Sequence, residues 1–331
     1  MGKKSLIVEA IICLLLLASS VSTVAGASAS YTLIDMGIGV GGDIANNGKA
    51  VGSTNVYDLH EQTSVSLPSP VVQAYSINEA GQIAGLMTSY SDNSEHAFLL
   101  DGGVLIDLGA LGGPGSGAYG INNRGQVVGS VCLPSSVYPP PCHAFLYDKG
   151  TMIDLGDAFG GDWSLARAVN DRGQIVGTSY SFATDKSHGI LYDNGEIIDL
   201  GVNVEPWAIN NSGQVVGYYF TDDNVLHSAF LYDNGEMIDL SRSEGETEAL
   251  DINNNGQVLG NIYRYDGQGY DTFLYKNGSF VNLDLELGLD EMVSNFVGFN
   301  INDLGQIVGM ATIDHFSHAV VLDPKQHPTR K

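Results

Sequence analysis

Positive charge is what this sequence has least of. Among 331 residues only 14 are Lys or Arg against 38 Asp or Glu, giving a formal charge of −24 and a pI near 4.3. Such a chain repels phosphate backbones and anionic headgroups, which excludes nucleic acids and acidic membrane surfaces as partners. Charge of either sign is scarce, at 16% of residues against roughly 25% in an average domain. Tryptophan occurs only as Trp163 and Trp207, and cysteine only as Cys13, Cys132 and Cys142. No nucleophile elbow, H-E-x-x-H, P-loop, dinucleotide fingerprint or D-x-[DN]-x-[DN]-G loop is present. No metal or cofactor is expected, and no reaction is assigned. Past the first thirty residues no apolar stretch approaches ~18 residues, so no membrane insertion of the mature chain is expected.

The N-terminus has a different character. Lys3 and Lys4 precede an apolar run from Leu6 to Val21, and small residues follow from Ala25 to Ser30. This is the three-part layout of a secretory signal, assigned to residues 1–29, with cleavage after Ala27 or Ala29 by the A-x-A rule. An uncleaved anchor is the alternative; lipidation is not, because Ile12 rather than a small residue precedes Cys13. Losing Lys3, Lys4 and Glu9 leaves 12 basic and 37 acidic residues. The expected location is secreted or periplasmic. In that oxidising compartment Cys132 and Cys142 are expected to pair and staple the loop that holds Pro139, Pro140 and Pro141.

Glycine, in contrast, is abundant at 42 residues, and much of it belongs to a repeat. The pattern I-N-x-x-G-Q-x-V-G recurs as INEAGQIAG (77–85), INNRGQVVG (121–129), VNDRGQIVG (169–177), INNSGQVVG (209–217), INNNGQVLG (252–260) and INDLGQIVG (301–309), with a weaker first copy, IANNGKAVG, at 44–52. The mean spacing is about 43 residues, within the range of repeat architectures. Between copies lies a second pattern, as in HAFLLDGGVLIDLG (96–109), HAFLYDKGTMIDLG (143–156) and HGILYDNGEIIDLG (188–201).

Each unit therefore holds two hairpins. In the first, the Asn side chain can cap the turn and the Gly three positions on accepts positive φ. In the second, Asn-Gly or Gly-Gly between apolar runs is a strong hairpin signal. Four short antiparallel strands in about 43 residues make one propeller blade. The last unit stops after HAVVLD (318–323), and YTLIDMG (31–37) has the form of its missing fourth strand. The expectation is an all-β, seven-bladed propeller over residues 30–324, closed by that N-terminal strand and followed by a basic tail, 325–331. The short first unit leaves six or eight blades as alternatives.

The H-A-F triplets give these repeats a resemblance to the HAF-repeat family of predicted extracellular proteins. It covers residues 31–323 and implies secretion and repeat structure; it brings no activity and no site residues. Copy one (Ala45 and Lys49) and copy six (Asp271 and Asn282) depart from the pattern.

Antiparallel order puts the tight 1–2 and 3–4 turns at one end of the ring and the variable 2–3 and 4–1 connections at the other. The second face is where binding is expected, on Trp163, Trp207, Tyr219, Asp222, Asp223, Tyr263, Arg264 and Tyr265. His96, His143, His188 and His318 recur one per unit, so hydrogen bonding within a blade fits them better than metal binding. The Asp of D-L-G is read as a turn cap. The expected function is a monomeric binding scaffold for a protein or polysaccharide. The alternative is a glycan-active hydrolase or lyase using Asp222, Asp223 or Glu205, and the third reading is a purely structural surface component.

Overall fold

The structure, a computed structural model, describes residues 22–24, 30–136, 140–221, 227–266, 269–287 and 293–325. Asp222, Asp223, the tail beyond residue 325 and almost all of the expected signal lie outside them.

Seven four-stranded antiparallel sheets follow one another along the chain. Blades 1 to 6 occupy residues 41–66, 71–109, 115–154, 163–202, 204–239 and 245–282. Blade 7 takes Val293–Ile301, Ile307–Ile313 and Phe316–Pro324 from the C-terminal end, and Tyr31–Ile38 supplies its fourth strand. Ser22–Val24 add a fifth, outermost strand on Leu33–Asp35. The innermost strand of each blade neighbours those of the blades on either side, and the circuit closes between Val293–Ile301 and Gly41–Ile44. The first unit is thus a full blade, though its four strands are only four residues each.

The turns form for the reasons the repeat suggests. Asn170 Oδ1 accepts the amides of Arg172 and Gln174 at 3.0 Å, and Gly173 has φ +86. At the outer hairpin Asn194 and Gly195 both have positive φ (49 and 95), the type I′ requirement.

The core lies between blades rather than within them. Among the described residues there are seven buried apolar clusters, each combining residues of two adjacent blades. The H-A-F phenylalanines Phe98 and Phe145, and Phe230 of S-A-F, are fully buried there. Cys132 and Cys142 form the expected disulfide across the second and third strands of blade 3. No helix among the described residues is long and apolar enough to cross a membrane.

Candidate functional site

Every innermost strand carries a β-bulge at the same place in all seven blades; Val71–Ile77 and Val293–Ile301 each slip a second time nearer their start. The register slips between Gly41 and Asp43, Ala74 and Ser76, Ala118 and Gly120, Ala166 and Ala168, Pro206 and Ala208, Ala249 and Asp251, and Gly298 and Asn300. The extra residue in each is unpaired and re-aimed. Those residues are Gly42, Tyr75, Tyr119, Arg167, Trp207, Leu250 and Phe299, and all seven line one central cavity of about 580 Å³. Around them the strand is repetitive, with Ala, Gly or Pro before the bulge and Ile or Val then Asn or Ala two places after it. The bulge itself is Gly once, an aliphatic residue once, Arg once and an aromatic four times. Tyr75 and Tyr119 meet with ring centroids 5.6 Å apart, and the Arg167 guanidinium lies 4.2 Å from the Trp207 ring centroid.

Beneath the bulges the ring narrows. Ile44, Ile77, Ile121, Val169, Ile209, Ile252 and Ile301 stand at equivalent positions, all buried, around a smaller cavity of about 160 Å³ at the tight-turn end. Two belts of hydrogen bonds run round that end. In the first, Asn78 Nδ2 donates to the carbonyl of Asn122, Asn122 to Asn170, Asn170 to Asn210, Asn210 to Asn253, Asn253 to Asn302, and Asn302 to Ala45, at 2.9–3.2 Å. In the second, a backbone amide donates to the next blade's side chain at 2.7–3.0 Å, through Asn46, Glu79, Asn123, Asp171, Asn211, Asn254 and Asp303 and back to Asn46. The repeated Asn therefore caps its own turn and also ties its blade to the next.

Three carboxyls near the channel are held above the ordinary range. Burial raises Asp43, against hydrogen bonds from Ile77, Ser76 and Ile44. Burial pushes Asp251 up to about 7, opposed by the amides of Ile301 and Ile252 and reinforced by Asp43 and Asp303. Both groups bind the neighbouring blade, Asp43 through Ser76 and Ile77 and Asp251 through Ile301. Glu205 is raised by burial, with Arg167 pulling the other way. It lines a side pocket between blades 4 and 5 with Trp163, Leu165, Arg167 and Tyr180, so Arg167 joins that pocket to the channel.

Trp207 does not sit in a connection, as expected, but at the bulge within Val204–Ile209, and Trp163 opens the inner strand Trp163–Val169. Tyr219 is turned to Ser228 and Asp239 of its own blade. Arg264 is spent on Asp266 and Asp271, at 2.7 and 2.9 Å. Tyr265 is exposed, and Tyr263 borders a separate groove with His227, Glu248 and Tyr270. The structure thus brings Trp163 and Trp207 to one connected site through Arg167 and leaves the other described candidates outside it.

The recurrent histidines do bond within their blades: Nδ1 of His96, His143, His188 and His318 meets Asp107, Asp154, Asp199 and Asp35 at 2.7–2.9 Å. Those aspartates also accept the amide two residues on, as in Asp154 with Gly156 at 2.8 Å. No group of three or more metal-ligating side chains is present among the described residues.

No protein-family model matches the chain, and no curated protein does. Several solved structures share its architecture. The β-propeller domain of the Trilobed protease from Pyrococcus furiosus, described as having an open velcro topology, aligns over 95% of this chain and 100% of its own, at TM-score 0.60 and 8% identity. An acylaminoacyl peptidase from Pyrococcus horikoshii aligns over 94% of this chain at TM-score 0.54 and 12% identity. A puromycin-hydrolyzing peptidase from Mycobacterium tuberculosis aligns over 93% at TM-score 0.53 and 10% identity. This chain spans about half the length of the two peptidases, 52% and 51%. At these identities the likeness is one of fold alone.

Proposed function

We propose that this protein is a secreted, acidic β-propeller that binds a polysaccharide in its central channel, at the seven bulges. The observation that carries the reading is broken symmetry. A strand repeated seven times keeps its packing residues, stays small or polar at the cavity-facing position after the bulge, and varies most in bulk and chemistry at the bulge, where aromatic rings and a guanidinium collect. Flat rings beside hydrogen-bonding groups suit the apolar faces and hydroxyl edges of sugars. A concave cavity of about 580 Å³ suits one or two sugar units. A protein partner would need a broader surface, about 800 Å² on each side.

The basic, apolar and small-residue order of residues 1–29 supports secretion, as does the Cys132–Cys142 bond, which persists in oxidising compartments. The H-A-F repeats support membership of the HAF-repeat family. The second reading, a glycan-cleaving enzyme, rests on Glu205, a half-buried carboxyl with raised pKa beside Arg167. Hydrolysis needs a second free carboxyl about 5–9.5 Å away. Asp43 and Asp251 are occupied by the amides of adjacent blades, which favours binding over cleavage.

A glycan array probed with residues 30–331, with chromatography for products of every hit, tests this. Binding lost in Trp207→Ala without bond cleavage is the expected result. Cleavage lost in Glu205→Gln would move the protein into the enzyme class. Silence across the array would leave a protein partner or a structural role.

A further inference from the structure

Arg167 is the one arginine among the described residues whose side chain has no acceptor in the chain. Arg124 and Arg172 donate to Gln126 and Gln174, Arg242 to Glu244, and Arg264 to Asp266 and Asp271. Arg167 has neither an ion pair nor a hydrogen bond, and its Nε is fully covered. Trp207, against which it stacks at 4.2 Å, has the Tyr218 hydroxyl oxygen as the neighbour of its covered Nε1. A buried donor without an acceptor costs about 1–3 kcal/mol, and one that belongs to a cation in a binding cavity calls for an explanation. The terminal guanidinium nitrogens of Arg167 are not covered and have no acceptor, in a side chain that lines both the channel and the side pocket.

We infer that the ligand of this channel carries a carboxylate, and that the polysaccharide is one built on uronic acids, its carboxylate lying on the Arg167 fork while the adjacent sugar face stacks on Trp207 and its neighbours. The inference rests on the polysaccharide reading above. A guanidinium presents two parallel N–H donors at the spacing of a carboxylate's two oxygens. Stacking on Trp207 holds the fork in one plane, so little freedom is lost when the anion arrives. The chain has few cations to spare at −24, and leaving one unpaired in its main cavity is a specific arrangement. Glu205 shares the side pocket with Arg167, where burial lifts its carboxyl and the guanidinium draws it down.

The test is calorimetric titration of residues 30–331 with an oligogalacturonate, its methyl ester, a neutral oligosaccharide of the same length and a sulfated one. The free acid is expected to bind at least about 30-fold more tightly than its methyl ester. Arg167→Gln should erase that difference, weakening the acid far more than the neutral sugar, and Arg167→Lys should recover part of it. Thermal melting of both variants separates lost folding from lost recognition. Equal affinity for acid and ester, or an acid affinity untouched by Arg167→Gln, overturns the inference and leaves the polysaccharide reading standing. Preference for the sulfated oligomer over the uronate also overturns it, assigning the fork to sulfate. No binding of any of the four overturns both.

Discussion

Asn170 shows how much one repeated side chain does. Its Oδ1 caps the turn, and its Nδ2 reaches Gln174 at 2.7 Å and the Asn210 carbonyl of the next blade at 2.9 Å. Asn170→Ala should cost about 2–4 kcal/mol in urea unfolding, because it strands a buried carbonyl and two turn amides together. The capping half of this role is readable from I-N-x-x-G, a local pattern. The inter-blade half is not, because Asn170 and Asn210 are 40 residues apart and only the ring brings them together. Ala45 shows what the belt tolerates: blade 1 has no such Asn, yet Asn302 still donates to the Ala45 carbonyl at 3.2 Å.

Asp251 gives a second residue-scale test. Its folded pKa, about 7, stands above the ordinary 3.8, so the folded chain holds this proton more tightly than the unfolded one. The stability it contributes is intact below about pH 4 and is lost as pH climbs towards 7, with no further change above. Between pH 4 and 8 the wild type should lose more stability than Asp251→Asn, by a few kcal/mol. The variant starts lower, since an amide cannot accept from both Ile252 and Ile301 as the carboxyl does. Parallel urea titrations at both pH values read the difference.

At the scale of the strand, the bulge explains a glycine that the repeat displays without giving a reason. The last Gly of every copy pairs with the residue just before the bulge, and in all but the first the kinked inner strand pushes a carbonyl hard against it. A Cβ on Gly177 would overlap the Leu165 oxygen, and Gly85, Gly129, Gly217, Gly260 and Gly309 face the same obstacle from their own inner strands. Gly195, in the outer turn, has open space around it but φ +95. Gly177→Ala should therefore destabilise by about 3 kcal/mol or more, and Gly195→Ala by about 1. Thermal melts of the two variants compare missing space with backbone strain.

The bulges themselves left a trace in the sequence. In A-Y-S-I-N, A-Y-G-I-N, A-R-A-V-N and P-W-A-I-N the second column varies freely inside a repeated strand. That column is legible once the residues before each Ile-Asn are aligned, but the connections vary more, as connections ordinarily do, and they mask it. Tyr219 and Arg264 illustrate the cost: both look available in sequence, yet one is turned to Asp239 and the other to Asp266 and Asp271.

For the whole molecule, the ring depends on a closure between its two ends. Tyr31–Ile38 pairs with His318–Pro324, and Tyr31 and Leu33 enter the cluster between blades 6 and 7 while Met36 enters that between 7 and 1. Deleting residues 30–38 should remove two clusters' worth of contacts at once and leave blade 7 with an open edge. Size-exclusion chromatography should then show aggregation in place of the elution peak of the intact protein. Reducing Cys132–Cys142 releases only a loop of about ten residues, so the intact ring should survive it with a lower midpoint. The blade count and this closure were both legible, because repeats and a missing last strand are patterns along the chain. The channel was not, because it exists only where seven distant bulges meet.

The most direct test of the account compares two sets of single substitutions on one bound glycan. Tyr75→Ala, Trp207→Ala and Phe299→Ala change bulge residues in three blades, whereas Tyr263→Ala and Tyr265→Ala change aromatic residues of the loop face. Affinities measured by calorimetry should fall about tenfold or more for each of the first three and stay within twofold for the other two, as stacking is worth roughly 0.5–1.5 kcal/mol per ring and more when desolvated. Loss of binding confined to Tyr263 and Tyr265 would place the site on the loops and contradict the central claim that the seven bulges build it.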